Sequence, residues 1–190
     1  MSRARTLFKH LIATIRGRQP SFVRVLEGGE SHWWCDLADP AKLETLAKHL
    51  LSNDEVEHSV FCASTARDEM HAAAAYCSSL KRNNVPSRLY IARLYPIDCR
   101  GLSATFISCQ GETGIEPVDS WHHDLKTHDH ATRCEIVRRV AHALQHGDDR
   151  LRIISKLQIE HCMKRFLSTS DGFSATHAAI ANCKKAMRIV

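Results

Sequence analysis

No stretch of this 190-residue chain is apolar for long enough to cross a bilayer, so the sequence offers no membrane span. Low-complexity tracts and internal repeats are missing too, which sets aside disordered-tract and solenoid architectures. There is no C-x-x-C pair among the eight cysteines, so neither a zinc knuckle nor a thioredoxin motif is available. P-loop, Rossmann glycine pattern and nucleophile elbow are all absent. His142 and His146 stand one helical turn apart without the glutamate of H-E-x-x-H, and Ser78-Ser79-Leu80-Lys81 satisfies S-x-x-K without its companion motifs. Strong charge of one sign is lacking as well. Lys+Arg 26 against Asp+Glu 21 gives +5 and a pI near 8.8, compatible with a phosphate-bearing partner without demanding one.

What is present reads as one globular domain over 1–190, with 44% hydrophobic and 25% charged residues. Residues 4–15 carry Leu7, Phe8, Leu11, Ile12 and Ile15, interrupted by Lys9 and His10 and followed by no cleavage site. That pattern is an amphipathic helix, not a signal peptide, and the expected location is the cytoplasm. The scattered cysteines (Cys35, Cys62, Cys77, Cys99, Cys109, Cys134, Cys162, Cys183) read as reduced thiols. Basic residues gather at both ends, with Arg3, Arg5, Lys9, Arg16 and Arg18 at one and Lys184, Lys185 and Arg188 at the other.

Hydrophobic periodicity predicts two strands, Phe22–Leu26 and His32–Cys35, joined through Glu27-Gly28-Gly29-Glu30. A helix opened by Asp39-Pro40 then carries Leu43, Leu46, Leu50 and Leu51 on one side. The best-defined unit runs from His58 to Tyr95. Val60-Phe61-Cys62-Ala63 is a short apolar run without alternation, as in a strand buried on both faces. Ser64 and Thr65 offer N-cap oxygens, Asp68 and Glu69 put acid in the first turn, and Met70, Ala73, Ala74, Cys77 and Leu80 make one helical stripe. Asn83-Asn84 and Val85-Pro86 end the helix, and Arg88–Tyr95 forms the next strand. Beyond it we expect a strand over 104–109, an irregular polar stretch over 115–130, and helices from 131, over 150–166 and from 175. The fold class is α+β: a small mixed β-sheet with packed helices over 1–115, then a helical part over 116–190.

The loop at 63–67 has the makings of an anion site. Unpaired amides at a helix start carry partial positive charge, Ser64 and Thr65 add hydroxyls, and Arg67 adds a fork suited to phosphate. A capped helix beside a solvated arginine accounts for the same residues. Acidic groups bordering the loop, Glu55 and Asp68 among them, can orient a water or hold Mg²⁺. The densest reactive stretch is Asp119–His130, where His122, His123, Asp124, His128, Asp129 and His130 offer imidazole and carboxylate. Their spacing matches no metal signature, so a solvated histidine-rich loop is the expectation and no metal is assigned; a histidine there, such as His123, can serve as general base. The helix start at 127–133 is a second candidate anion site, and Arg133, Arg138 and Arg139 can touch a nucleic-acid backbone.

The order of these elements resembles the nucleotide-binding core of the ParB/sulfiredoxin superfamily. The residues that carry the resemblance are Ala63-Ser64-Thr65-Ala66-Arg67 for the loop, Ala72-Ala73-Ala74 in the helix and Val85-Pro86 before the strand. Length and texture are similar to those of the plasmid fertility inhibition factors. The resemblance implies a protein of a conjugative plasmid that blocks transfer of a rival, acting as an ATPase and DNase. Under it Ser64, Thr65 and Arg67 would hold a nucleoside triphosphate such as ATP, with Mg²⁺ as companion ion. Arg67 would neutralise charge on the reacting phosphoryl group, Glu55, Asp68 or His123 would position water, and Arg133, Arg138 and Arg139 would attract DNA. Two alternatives stand beside it: a non-enzymatic inhibitor that docks on a type IV secretion protein, and a metal-dependent nuclease centred on His122, His123 and Asp124.

Overall fold

The computed structural model describes residues 21–27, 50–51, 57–168 and 172–189. The N-terminal amphipathic helix with its basic residues, the predicted strand at 32–35, the start of the helix opened by Asp39-Pro40, and Glu55 lie outside the described residues. Six strands form the main sheet: β1 (Ser21–Glu27), β2 (Glu57–Ala63), β3 (Arg88–Leu94), β4 (Ala104–Ser108), β6 (His122–Thr127) and β7 (Leu151–Ser155). Their order is β4-β6-β2-β1-β3-β7, and every neighbouring pair is antiparallel. A two-stranded ribbon joins β5 (Ile115–Glu116) to β8 (Ser174–Ala175). The helices are α1 (Ala66–Ser79), α2 (His130–Gln145), α3 (Lys156–Leu167) and α4 (His177–Met187). The class is α+β, and among the described residues no helix is long and apolar enough to cross a membrane.

β2 and β3 both run antiparallel to β1, which lies between them, so β2–α1–β3 is a split β–α–β unit. Both faces of the sheet are covered, which explains why β2 does not alternate. Val23, Val25, Phe61, Leu89, Ile91 and Ile154 face α1, α3 and α4. Phe22, Val60, Cys62, Tyr90, Leu94 and Leu125 face α2, together with the fully buried Leu50 and Leu51. Each such aliphatic side chain taken out of water stabilises the fold by roughly 1.5–3 kcal/mol. α1 is enclosed by the sheet, α3 and α4, and Ala72 to Ala75 are all fully buried. Alanine suits this position because larger side chains would hold the layers apart.

Two elements differ from the sequence expectation. Residues 122–127 form a strand where an irregular stretch was expected, and 151–155 form an edge strand where the helix was expected to have begun. The second half therefore contributes two strands to the main sheet as well as three helices. β6 does alternate strictly, with His123, Leu125 and Thr127 buried and His122, Asp124 and Lys126 half-buried. Two of its three buried positions are polar, so hydrophobicity alone does not reveal it. The helix already ends ahead of Asn83-Asn84, where Lys81 takes the left-handed conformation (φ 53).

Candidate functional site

At the 63–67 loop, the helix begins as the sequence implies. Thr65 is the N-cap, its Oγ1 accepting from Asp68 N at 3.1 Å. The Asp68 carboxylate completes the cap by accepting from the amides of Ser64 (3.2 Å) and Thr65 (3.1 Å) through Oδ2. Two amides that an incoming phosphate would use thus already serve a carboxylate of the chain's own. Arg67 is exposed, and Ser64 and Thr65 line a pocket of about 370 Å³ with Glu69, Arg93, Tyr95 and Asp149. The cation in that pocket is committed. Arg93 donates to Glu69 through Nε (2.5 Å) and Nη2 (2.9 Å) and pairs with Asp149 at 2.5 Å, which holds its pKa well above the ordinary arginine value. Arg152 adds a further bond to Glu69 at 3.1 Å.

The second anion candidate is capped in the same way. Asp129 is the N-cap of α2 and accepts from Thr132 N (2.6 Å) and Thr132 Oγ1 (3.0 Å), and these bonds hold its pKa below the usual carboxylate range. Of the three arginines assigned to DNA, Arg133 is buried at 7% exposure and is not available to a backbone phosphate. Helical spacing explains this, since position 133 shares its face with the buried Ile136, Val137 and Val140. Arg138 is exposed but pairs with Glu135, while Arg139 bonds Glu135 at 3.1 Å and the Arg100 carbonyl at 2.8 Å.

The polar stretch at 119–130 is split by β6. His123 is buried on the α2 side, edge-on to Phe22, its Nδ1 3.0 Å from the Trp121 carbonyl. His122 and Asp124 point to the opposite face, because successive strand residues alternate. There they meet Cys109, which follows β4 and lies across from His122, Cys109 N donating to His122 O at 3.2 Å. Cys109 Sγ stands 2.9 Å from His122 Nδ1 and donates to Asp124 Oδ2 at 3.2 Å. Phe61 packs edge-on against the His122 ring at 5.4 Å. Burial, partly offset by Asp124, lowers the His122 pKa, so the imidazole is neutral at physiological pH.

These three side chains open into a cleft of about 640 Å³, lined also by Ser59, Tyr76, Lys81, Gln110 and Thr113. Asp119 fixes its edge. It is buried and accepts from Thr113 N (2.9 Å), Thr113 Oγ1 (2.6 Å) and Gly114 N (2.9 Å), clamping the 111–114 turn. No family model, curated protein or solved structure matches this chain. No described residue lines both this cleft and the loop pocket. Cys109 was missed in the sequence because it is thirteen residues from His122, and only the β4–β6 pairing brings them together. None of the seven described cysteines is in a disulfide, and burial pushes the thiols of Cys99, Cys162 and Cys183 up to about 12, 11 and 11. Cys109 differs from those three in opening to a cleft.

Proposed function

We propose that this protein is a phosphodiester hydrolase acting on DNA in the cleft above Cys109, His122 and Asp124, and that DNA cleavage is how it would block conjugative transfer as a fertility inhibition factor. The observation that carries the reading is the convergence of thiol, neutral imidazole and carboxylate on the floor of a cavity of nucleotide size, with Lys81 among its lining residues. His122 has the protonation state of a general base, and Asp124 is placed beside it to orient the attacking water. Lys81, held just past the end of α1 with φ 53, would offset charge growing on the non-bridging oxygens.

Nicking of supercoiled plasmid tests this. His122→Ala and Asp124→Asn should each slow cleavage by at least 100-fold, Lys81→Ala by roughly tenfold, and Arg67→Ala not at all. Loss of cleavage in Arg67→Ala with His122→Ala intact would place the reaction at the loop instead.

Two further readings have an observation each. The split β–α–β unit and its 370 Å³ loop pocket favour a nucleoside triphosphate, ATP with Mg²⁺, held near Ser64, Thr65 and Arg67, where it would have to displace Asp68 from the amides. ATP turnover lost in Arg67→Ala and raised in Asp68→Ala supports that reading. Ile153 (47% exposed) on the edge strand β7 and Leu157 (77%) at the start of α3 favour docking on a type IV secretion protein. Transfer inhibition that survives His122→Ala and Arg67→Ala but fails in Leu157→Asp supports it.

A further inference from the structure

We infer that Cys109, His122 and Asp124 form a binding site for a divalent transition metal of the zinc class. The inference rests on the hydrolase reading of the same cleft and changes its chemistry. With the ion bound, His122 and Asp124 are ligands and the metal-bound water takes the place of a water activated by His122, while metal binding itself can be measured without any substrate.

One ligand atom from each residue lies within 4.8 Å of the other two, and this is the one such trio of histidine, cysteine and acidic side chains among the described residues. The donor set decides the class of ion. Thiolate and imidazole select zinc-like ions, whereas Mg²⁺ takes oxygen ligands and keeps its waters. Three protein ligands with a fourth position open to the cleft is the coordination of catalytic zinc sites, and such an ion acidifies the water that fills the fourth position.

The scaffold is rigid. Asp124 and His122 are alternate residues of β6, and Cys109 is held across from His122 by a ladder bond. The spacing fits a site whose place is kept by a proton. With the thiol protonated and donating to Asp124, Sγ sits 2.9 Å from Nδ1 and 3.2 Å from Oδ2. Tetrahedral bonds of about 2.3 Å to sulfur and 2.0 Å to nitrogen or oxygen put the same atoms ~3.5 Å apart. Side-chain rotations of a few tenths of an ångström therefore admit the ion, which replaces the thiol proton. Thiolate and carboxylate together carry two negative charges and balance a divalent ion.

The test uses the full-length protein, stripped with a chelator, reduced, and titrated with Co²⁺ as a spectroscopic stand-in for Zn²⁺. Expected are a saturable equivalent with thiolate-to-cobalt charge-transfer absorption in the near ultraviolet, its displacement by Zn²⁺, and no displacement by excess Mg²⁺. Cys109→Ser should abolish that absorption, and His122→Ala and Asp124→Asn should weaken binding at least tenfold. Cys134→Ser is the control, because Cys134 is also partly exposed and stands 3.3 Å from His130 Nε2; it should leave the spectrum unchanged. Circular dichroism of each variant separates loss of ligand from loss of fold, and Asp124→Asn, which keeps the side chain's size, carries the test if Cys109→Ser unfolds. No saturable binding, or a charge-transfer band that survives Cys109→Ser, overturns the site even if the protein cuts DNA. A Cys109-dependent spectrum in a protein that leaves DNA intact upholds the site and refutes the hydrolase.

Discussion

His58 is fully buried on the α2 face of the sheet, its Nε2 3.3 Å from Thr127 Oγ1. Burial first, then the charges of Arg24 and Arg133, lower its pKa to about 4. In the unfolded chain the same ring titrates near 6.5, so between about pH 4 and 6.5 the unfolded state binds more protons than the native one. The stability tied to a neutral His58 is complete above pH 6.5 and is lost as pH falls toward 4, on the order of 3 kcal/mol across the window. Urea unfolding at several pH values should show that acid-side slope, and His58→Gln should flatten it. A slope unchanged in His58→Gln would assign the acid lability to other groups. Residue identities predicted the capping at Thr65 and the exposure of Arg67, since these depend on near neighbours in the chain. They did not predict that Asp68 would take up two loop amides, because the same carboxylate also suits a dipole-facing position without any bond.

At the scale of elements, β2, β3, β4 and the helices α1, α2 and α4 were legible, because each carries its own periodicity and punctuation. β7 was hidden inside an apolar face that continues into α3, yet a signal was present. Ser155 and Gln158 form a capping box, with Gln158 N donating to Ser155 Oγ at 3.4 Å and Gln158 Oε1 accepting from Ser155 N at 2.9 Å. That S-x-x-Q spacing marks the true helix start. β6 was illegible because its inward side chains include His123 and Thr127. The turn flanking the cleft offers a direct test of how tightly β6 and its neighbours fit. A Cβ on Gly111 would lie 2.8 Å from Asp119 Oδ1, 3.0 Å from Asp119 Cα and 3.1 Å from His122 Cβ. Backbone cannot yield as a side-chain tip can, so Gly111→Ala should cost about 1–3 kcal/mol by overpacking. Because the displaced atoms include His122, it should also weaken Co²⁺ binding. A variant of wild-type stability would show that the turn has slack and that Asp119 does not clamp it.

Over the whole molecule, the sheet divides the chemistry between two places that share one helix layer. Their separation depends on strand order, β4 and β6 joining the sheet beyond β2, which no local pattern in the sequence specifies. The positive charge is also divided, and this bears on how DNA would lie. α4 begins beside the cleft's flanking turn, Thr176 N donating to Gly114 O at 2.8 Å, and ends with the exposed Lys184, Lys185 and Arg188. Eleven helical residues span about 16 Å, roughly five base-pair steps of a duplex at 3.4 Å each. Under the proposed hydrolase reading, a duplex that followed α4 from the cleft's flanking turn would be long enough to meet its basic end. Binding measured from low to moderate salt should give a linear fall of log K with log salt, and replacing Lys184 and Lys185 by alanine should reduce the slope by about 2, uniformly across DNA sequences. Arg133→Ala should instead lower stability and leave the slope alone, since that side chain is buried. A slope unchanged by the double lysine variant would place the DNA path off α4, and a slope near zero in the wild type would remove DNA as the substrate of the cleft.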